Sequence, residues 1–95
     1  MSGRFSVDTC GLDPVRVVER TRVGDERGFL ERLFCADELA AAGWYKPIAQ
    51  INRTVTAARG TVRGMHFQRR PHVEAKLVTC VRGSIFDIAV DLRRN

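Results

Sequence analysis

The sequence predicts an all-β domain of the sandwich or barrel kind, on three observations. Short runs rich in Val, Ile, Thr and Phe recur along the chain, and one segment alone, ADELAAAG, carries a helix signal. The strongest pattern, KLVTCVRGSIFDIAVDL, is a pair of strand-like runs meeting at Arg82-Gly83. Many short strands separated by turn residues are the mark of sandwiches and barrels. The 95 residues make one domain at most. A chain of that length buries roughly two thirds of its unfolded surface.

The elements follow in order. Val15 to Val18 reads as a short strand, closed by the charged turn GDERG at Gly24 to Gly28. Phe29 to Phe34 is a second short apolar segment. Ala36 to Gly43 is the predicted helix: Asp37 and Glu38 sit at its positive end and Gly43 is its stop. Ile48 to Val55 fits a strand interrupted by Asn52 and Arg53. Gly60 punctuates before the strand-like Thr61 to Gln68, and Arg69-Arg70-Pro71 predicts a turn.

The final hairpin is predicted with Arg82 and Gly83 as its loop, a turn that glycine eases. That register pairs Val81 with Ser84, Val78 with Asp87 and Lys76 with Ala89. Strand alternation then puts Leu77, Thr79, Phe86, Ile88, Val90 and Leu92 on an apolar face. The opposite face places Lys76 diagonal to Asp87 and Asp91, which is a site-like arrangement. The plainer alternative is a cross-strand ion pair on a wetted face, worth about a few tenths of a kcal/mol. A sheet protein whose strongest strand closes the sequence reads as truncated, so residues 1–95 are expected to be a single, truncated domain.

Composition narrows the function classes. Hydrophobic residues make up 44% and charged residues 28%, which argues against wholesale disorder. The net charge of +5 favours an anionic partner. Cys10, Cys35 and Cys80 form no CxxC pair and fit a reduced, cytoplasmic setting, where small buried thiols are the ordinary case. No apolar run approaches membrane-spanning length, so no membrane partner is expected. The arginines are dispersed without a basic aromatic strip or a recognition helix, and no nucleic-acid partner is expected either. His66, His72 and Glu74 lack a His-x-His pair, which makes a metal site a poor reading.

Five motifs carry a resemblance. GDERGFLE, QINRT, TVRGMHFQ, PHVEAKLV and VRGSIFDIAVDLRR stand in the order and spacing of the dTDP-4-dehydrorhamnose 3,5-epimerase family, which the chain resembles from about Val15 to Arg94. The resemblance implies the N-terminal half of a cupin-type jelly roll, a homodimer when intact, and a cofactor-free, metal-independent epimerase. Its implied substrate is a dTDP-4-keto-6-deoxy sugar, inverted at C3 and/or C5 through proton abstraction beside the 4-keto group.

That chemistry requires a base, a donor for the enolate oxygen, and an acid on the far face. By resemblance His66 matches the base, and an imidazole suits the role because it exchanges its proton in the physiological range. Lys76 matches the ammonium beside the keto group, and Arg63 a substrate- and phosphate-contacting guanidinium. Gln50 and Asn52 match polar pocket residues, and Arg27 a diphosphate contact, for which its forked donors are suited. Asp87 joins the set from the hairpin register, as a substrate-side carboxylate near Lys76.

Arg63 and His66, three apart, face opposite sides of a regular strand, so one pocket receives both only if Gly64 breaks the strand. The family's tyrosine acid and the aspartate paired with its histidine are implied to lie beyond Asn95; Tyr45 is not that tyrosine. Three positions depart from the family pattern. Val23 stands where an aromatic is frequent, Arg32 where a carboxylate is common, and Glu74 where an amide is frequent. The alternative to an active enzyme is a catalytically inert cupin-like fragment that binds a sugar nucleotide or a protein partner.

Overall fold

A computed structural model of the chain describes residues 4–94. They fall into two compact units, one from Met1–Lys46 with Ile88–Asn95 and the other from Pro47–Asp87.

The first unit holds all the regular structure found among the described residues. Strands β1 (Phe5–Thr9) and β2 (Arg16–Arg20) pair antiparallel, with Phe5 opposite Arg20, Val7 opposite Val18 and Thr9 opposite Arg16. Alternation sends Phe5, Val7 and Val18 to one face. Phe5 is buried there, with the Arg20 guanidinium 5.8 Å from its ring centroid. Arg20 also donates to the carbonyl oxygens of Arg32 (3.1 Å) and Leu33 (2.8 Å), fastening the following connection to the sheet.

Strands β3 (Val23–Asp25) and β4 (Gly28–Leu30) form a second antiparallel pair, Val23 opposite Leu30 and Asp25 opposite Gly28. Its loop is Glu26-Arg27. Neither residue has positive φ, so the turn is not of the mirror-image type usual in two-residue hairpins. It is held instead by the Asp25 carboxylate, which accepts the Arg27 backbone N–H at 2.9 Å. The strands close tightly around Gly24: a Cβ there would lie 2.5 Å from the Gly28 carbonyl oxygen and 2.9 Å from Phe29 Cβ.

Helix α1 (Ala36–Leu39) continues into a 3₁₀ turn over Ala40–Ala42 and stops at Gly43. Asp37 and Glu38 occupy its first turn, where the orphan N–H groups favour negative charge. Leu39 is 1% exposed, and with Phe5 it makes up the buried apolar core among the described residues. Phe34 and Trp44 meet edge to face at 5.9 Å across the helix. Arg32 pairs with Glu38, and that contact holds the Glu38 carboxyl below its ordinary range against the opposing effect of burial.

The returning segment 88–94 contributes an anchor without a strand. Arg93 donates to the Asp13 carbonyl oxygen, and to Asp91 through Nη2 at 2.7 Å and Nε at 2.9 Å. The Arg93 side chain, then its backbone N–H, lowers the Asp91 pKa to about 2. A depressed carboxylate stabilises the fold above its unfolded pKa and loses that contribution as pH falls through the folded value. The window here runs from the ordinary 3.8 down to about 2. A carboxyl titration by NMR is expected to place Asp91 near 2, and Arg93→Gln to return it towards 3.8. A midpoint already at the ordinary value in the unsubstituted chain contradicts the pairing.

The second unit, Pro47–Asp87, has turns but no helix or strand among its described residues. The Thr61 hydroxyl donates to Ala58 O at 2.7 Å, and the His72 N–H donates to Arg69 O at 2.7 Å, so the turn expected at Arg69-Arg70-Pro71 forms. The strands expected over Ile48–Val55 and Thr61–Gln68 do not form, nor do the two arms of the expected Arg82-Gly83 hairpin. Gly83 does take the left-handed conformation of a turn, with φ +83. The reason the ladder fails is exposure. Ile51, Val62 and Phe86 are 83%, 88% and 89% exposed. A strand rich in such side chains is held mainly by what covers its face. Among the described residues, no helix is long and apolar enough to cross a membrane.

The described residues thus form two small antiparallel sheets with one short helix, in keeping with an all-β class.

Candidate functional site

Arg27 occupies the tip of the β3–β4 hairpin, placed there by the two-residue loop. Asp25 grips its guanidinium from below: Nη2 to Oδ2 is 2.7 Å, and Nε lies 3.2 Å from both carboxylate oxygens. The pairing pushes the Asp25 carboxyl below its ordinary range and the Arg27 guanidinium above its own. Nε and Nη2 are thus engaged by Asp25, although the side chain remains 85% exposed. Around it lies an open depression of about 420 Å³, lined by Val23, Gly24, Asp25, Arg27, Gly28, Phe29 and Leu30. Asp25 and Glu26 outweigh the one guanidinium, so the tip carries no net positive charge and Arg27 is its single cationic group.

The other expected site residues, Gln50, Asn52, Arg63, His66, Lys76 and Asp87, all belong to the second unit and are all exposed. No hydrogen bond or ion pair joins any two of these six among the described residues. Arg63 donates to the Thr56 hydroxyl at 3.4 Å. The backbone turns at Gly64, whose φ of +98 is foreign to a regular strand. The strict alternation that would send Arg63 and His66 to opposite faces therefore does not apply.

Lys76 departs from its expected neighbours. Its Nζ pairs with Glu74 at 3.2 Å, in place of a diagonal approach to Asp87 and Asp91. Without a ladder there is no cross-strand diagonal, and the carboxylate two residues away is the nearest local partner. Both side chains are about half exposed, so the pair is a weak tether that a competing anion displaces at little cost. No group of three His, Cys, Asp or Glu side chains is gathered to hold a metal ion among the described residues.

Two arrangements on the β3–β4 hairpin were not singled out by motif reading. Asp25 anchors Arg27, and the Asp-x-Arg spacing was the available signal. Arg22 lies 4.2 Å over the Phe29 ring centroid and bonds Glu31 Oε2 through Nε at 3.0 Å. Only the pairing register brings these three together, since they are spread over ten residues.

Sequence comparison decides the family. The profile described as dTDP-4-dehydrorhamnose 3,5-epimerase matches residues 9–95. The chain belongs to this family. It is 42% identical over 76 residues to a dTDP-4-dehydrorhamnose 3,5-epimerase of Streptomyces griseus, a match covering 79% of this chain and 38% of that protein. To the same-named protein of Sinorhizobium fredii it is 36% identical over 85 residues, covering 83% and 40%. A dTDP-4-dehydrorhamnose 3-epimerase of Streptomyces niveus is 42% identical over 84 residues, covering 87% and 40%. The chain thus spans less than half the length of these epimerases. No solved structure matches it.

Proposed function

We propose that this chain supplies the proton-abstracting portion of an epimerase acting on dTDP-4-keto-6-deoxy-glucose. The observation that carries the reading is the family match over residues 9–95; His66 and Lys76 are taken as base and electrophile from the resemblance of RGMHFQ and EAKLV. His66 takes the proton from the carbon beside the 4-keto group. The electron pair moves onto the keto oxygen, where the Lys76 ammonium stabilises the enolate. Return of a proton on the opposite face inverts the centre, from an acid outside the described residues. Lys76 is reached by release from its exposed pair with Glu74.

Arg27 holds the diphosphate from the hairpin tip, Arg63 binds substrate and phosphate, and Gln50, Asn52 and Asp87 line the sugar pocket. The chain is read as the N-terminal part of one cupin-type jelly-roll domain that works as a cytoplasmic homodimer, without cofactor, metal, nucleic-acid or membrane partner. A second reading, a fragment that binds the sugar nucleotide without catalysis, is favoured by the exposed and mutually unbonded placement of the six residues in Pro47–Asp87.

Solvent deuterium uptake into dTDP-4-keto-6-deoxy-glucose, read by mass spectrometry, separates the two. One deuteron at C3 marks a 3-epimerase, and deuterons at both C3 and C5 mark the 3,5-enzyme. No uptake by a chain shown to be folded and to bind the sugar nucleotide establishes the binding-only reading.

A further inference from the structure

We propose that Glu74 is a positioning residue that holds the Lys76 ammonium in reserve and thereby sets how fast the enolate forms. The role rests on the substrate reading above. Lys76 Nζ lies 3.2 Å from Glu74 Oε1. In the unit Pro47–Asp87 cations are plentiful and carboxylates scarce: six arginines and Lys76 stand against Glu74 and Asp87. Lys76 is the unit's one lysine, so the proposed chemistry has no second ammonium there to use. A ligand's negative charge finds arginines in supply, whereas the ammonium it needs is already engaged.

The contact is written in the spacing. Residues two apart project from the same side of an extended segment, roughly 7 Å from one another. The long side chains of Glu and Lys close that gap between them. The pair therefore needs no ladder, and pairing with a neighbouring strand leaves the two groups in reach. A neutral keto oxygen offers the ammonium a dipole alone and competes poorly with a full carboxylate. Once the proton has left carbon and the electron pair sits on oxygen, the enolate is an ionised acceptor, and such hydrogen bonds are the strong ones. Lys76 is thus drawn from Glu74 as the transition state forms. The release, together with repulsion between the Glu74 carboxylate and the enolate, burdens the barrier more than the binding of the sugar.

The test is the rate of solvent deuterium uptake into dTDP-4-keto-6-deoxy-glucose, measured against sugar concentration for the chain and its variants. Glu74→Gln keeps the shape and removes the charge. It is expected to raise kcat by about two- to fivefold, the scale of an exposed ion pair, and to leave KM within about twofold. Glu74→Asp, which keeps the carboxylate, is expected to stay near the unsubstituted rate. Glu19→Gln removes the same charge from an exposed position on β2 and is expected to change nothing. Raising the salt from about 0.01 M to 1 M shortens the screening length from about 30 Å to 3 Å, so the gain in Glu74→Gln is expected to shrink. An unchanged or lowered kcat in Glu74→Gln overturns the proposal. So does an equal gain in Glu19→Gln or Glu74→Asp, or a gain that salt does not diminish. In each of these cases exchange persists and the substrate reading stands. No exchange by the unsubstituted chain or by Glu74→Gln, both shown to be folded, overturns the substrate reading itself and the role of Glu74 with it.

Discussion

His66→Ala is expected to lower deuterium uptake into the 4-keto sugar by roughly 10²- to 10⁴-fold, the usual worth of a positioned general base. The binding of dTDP is expected to stay within about twofold, because the diphosphate contact proposed for Arg27 lies on a different element. The size of the exchange loss follows from the carbon acid. Its proton leaves only as fast as a base accepts it, and no other imidazole lies within the same motif. His72, in the Arg69–His72 turn, is the internal control: its substitution by Ala is expected to leave exchange intact. Residual uptake in His66→Ala equal to that of the unsubstituted chain sinks the assignment of the base. Equal losses for His66→Ala and His72→Ala point to damage of the segment rather than of the chemistry.

Leu39→Ala is expected to cost about 2–5 kcal/mol, the range for truncating a buried leucine. Set against a total stability of roughly 5–15 kcal/mol for an ordinary domain, that is enough to unfold a marginal one. Leu39 shares the buried apolar core with Phe5 alone among the described residues, so few neighbours can collapse into the space it vacates. Trp44 reports the event directly. Its ring packs on Phe34, its indole N–H donates to the Lys46 carbonyl oxygen at 2.7 Å, and its backbone N–H donates to Leu39 O at 3.2 Å. Urea unfolding followed by Trp44 fluorescence is expected to shift to lower denaturant or lose its cooperative transition. An unchanged midpoint would show that Leu39 does not hold the unit together.

Elements written in local chemistry were legible in the sequence, and elements that depend on distant cover were not. GDERG carries an Asp-x-Arg and flanking glycines, and it folds as a hairpin turn through bonds spanning two residues. ADELAAAG likewise states its own start and stop, although the helix tightens to 3₁₀ after four residues. Strand β2 appears close to its expected place, Arg16–Arg20 against Val15 to Val18. Its partner β1 was not singled out, because Phe5 and Val7 offer only two apolar positions of alternation.

The opposite error falls at KLVTCVRGSIFDIAVDL. Its β-branched, alternating pattern is the strongest in the chain, yet Phe86 stands 89% exposed and no ladder forms. Pattern reports what a segment can bury, while burial itself requires a second surface. For the proposed site, the family resemblance of the motifs pointed to His66 and Lys76, whereas the pairing register was needed to connect Arg22, Phe29 and Glu31. The expected neighbours of Lys76 depended on a ladder, and with it they were lost to the nearer Glu74.

The lack of a ladder in Pro47–Asp87 also bears on affinity. Backbone groups there satisfy one another at a few turns only, so drawing His66, Arg63 and Lys76 around one sugar means fixing dihedral angles along the way. Each residue so fixed costs roughly 1–2 kcal/mol of configurational entropy. On the proposed reading, the free energy of binding the nucleotide would supply that ordering, as in coupled folding and binding. A sugar nucleotide would then bind this segment with a large favourable enthalpy, an entropic penalty and a negative heat-capacity change, and its measured affinity would understate the strength of its contacts.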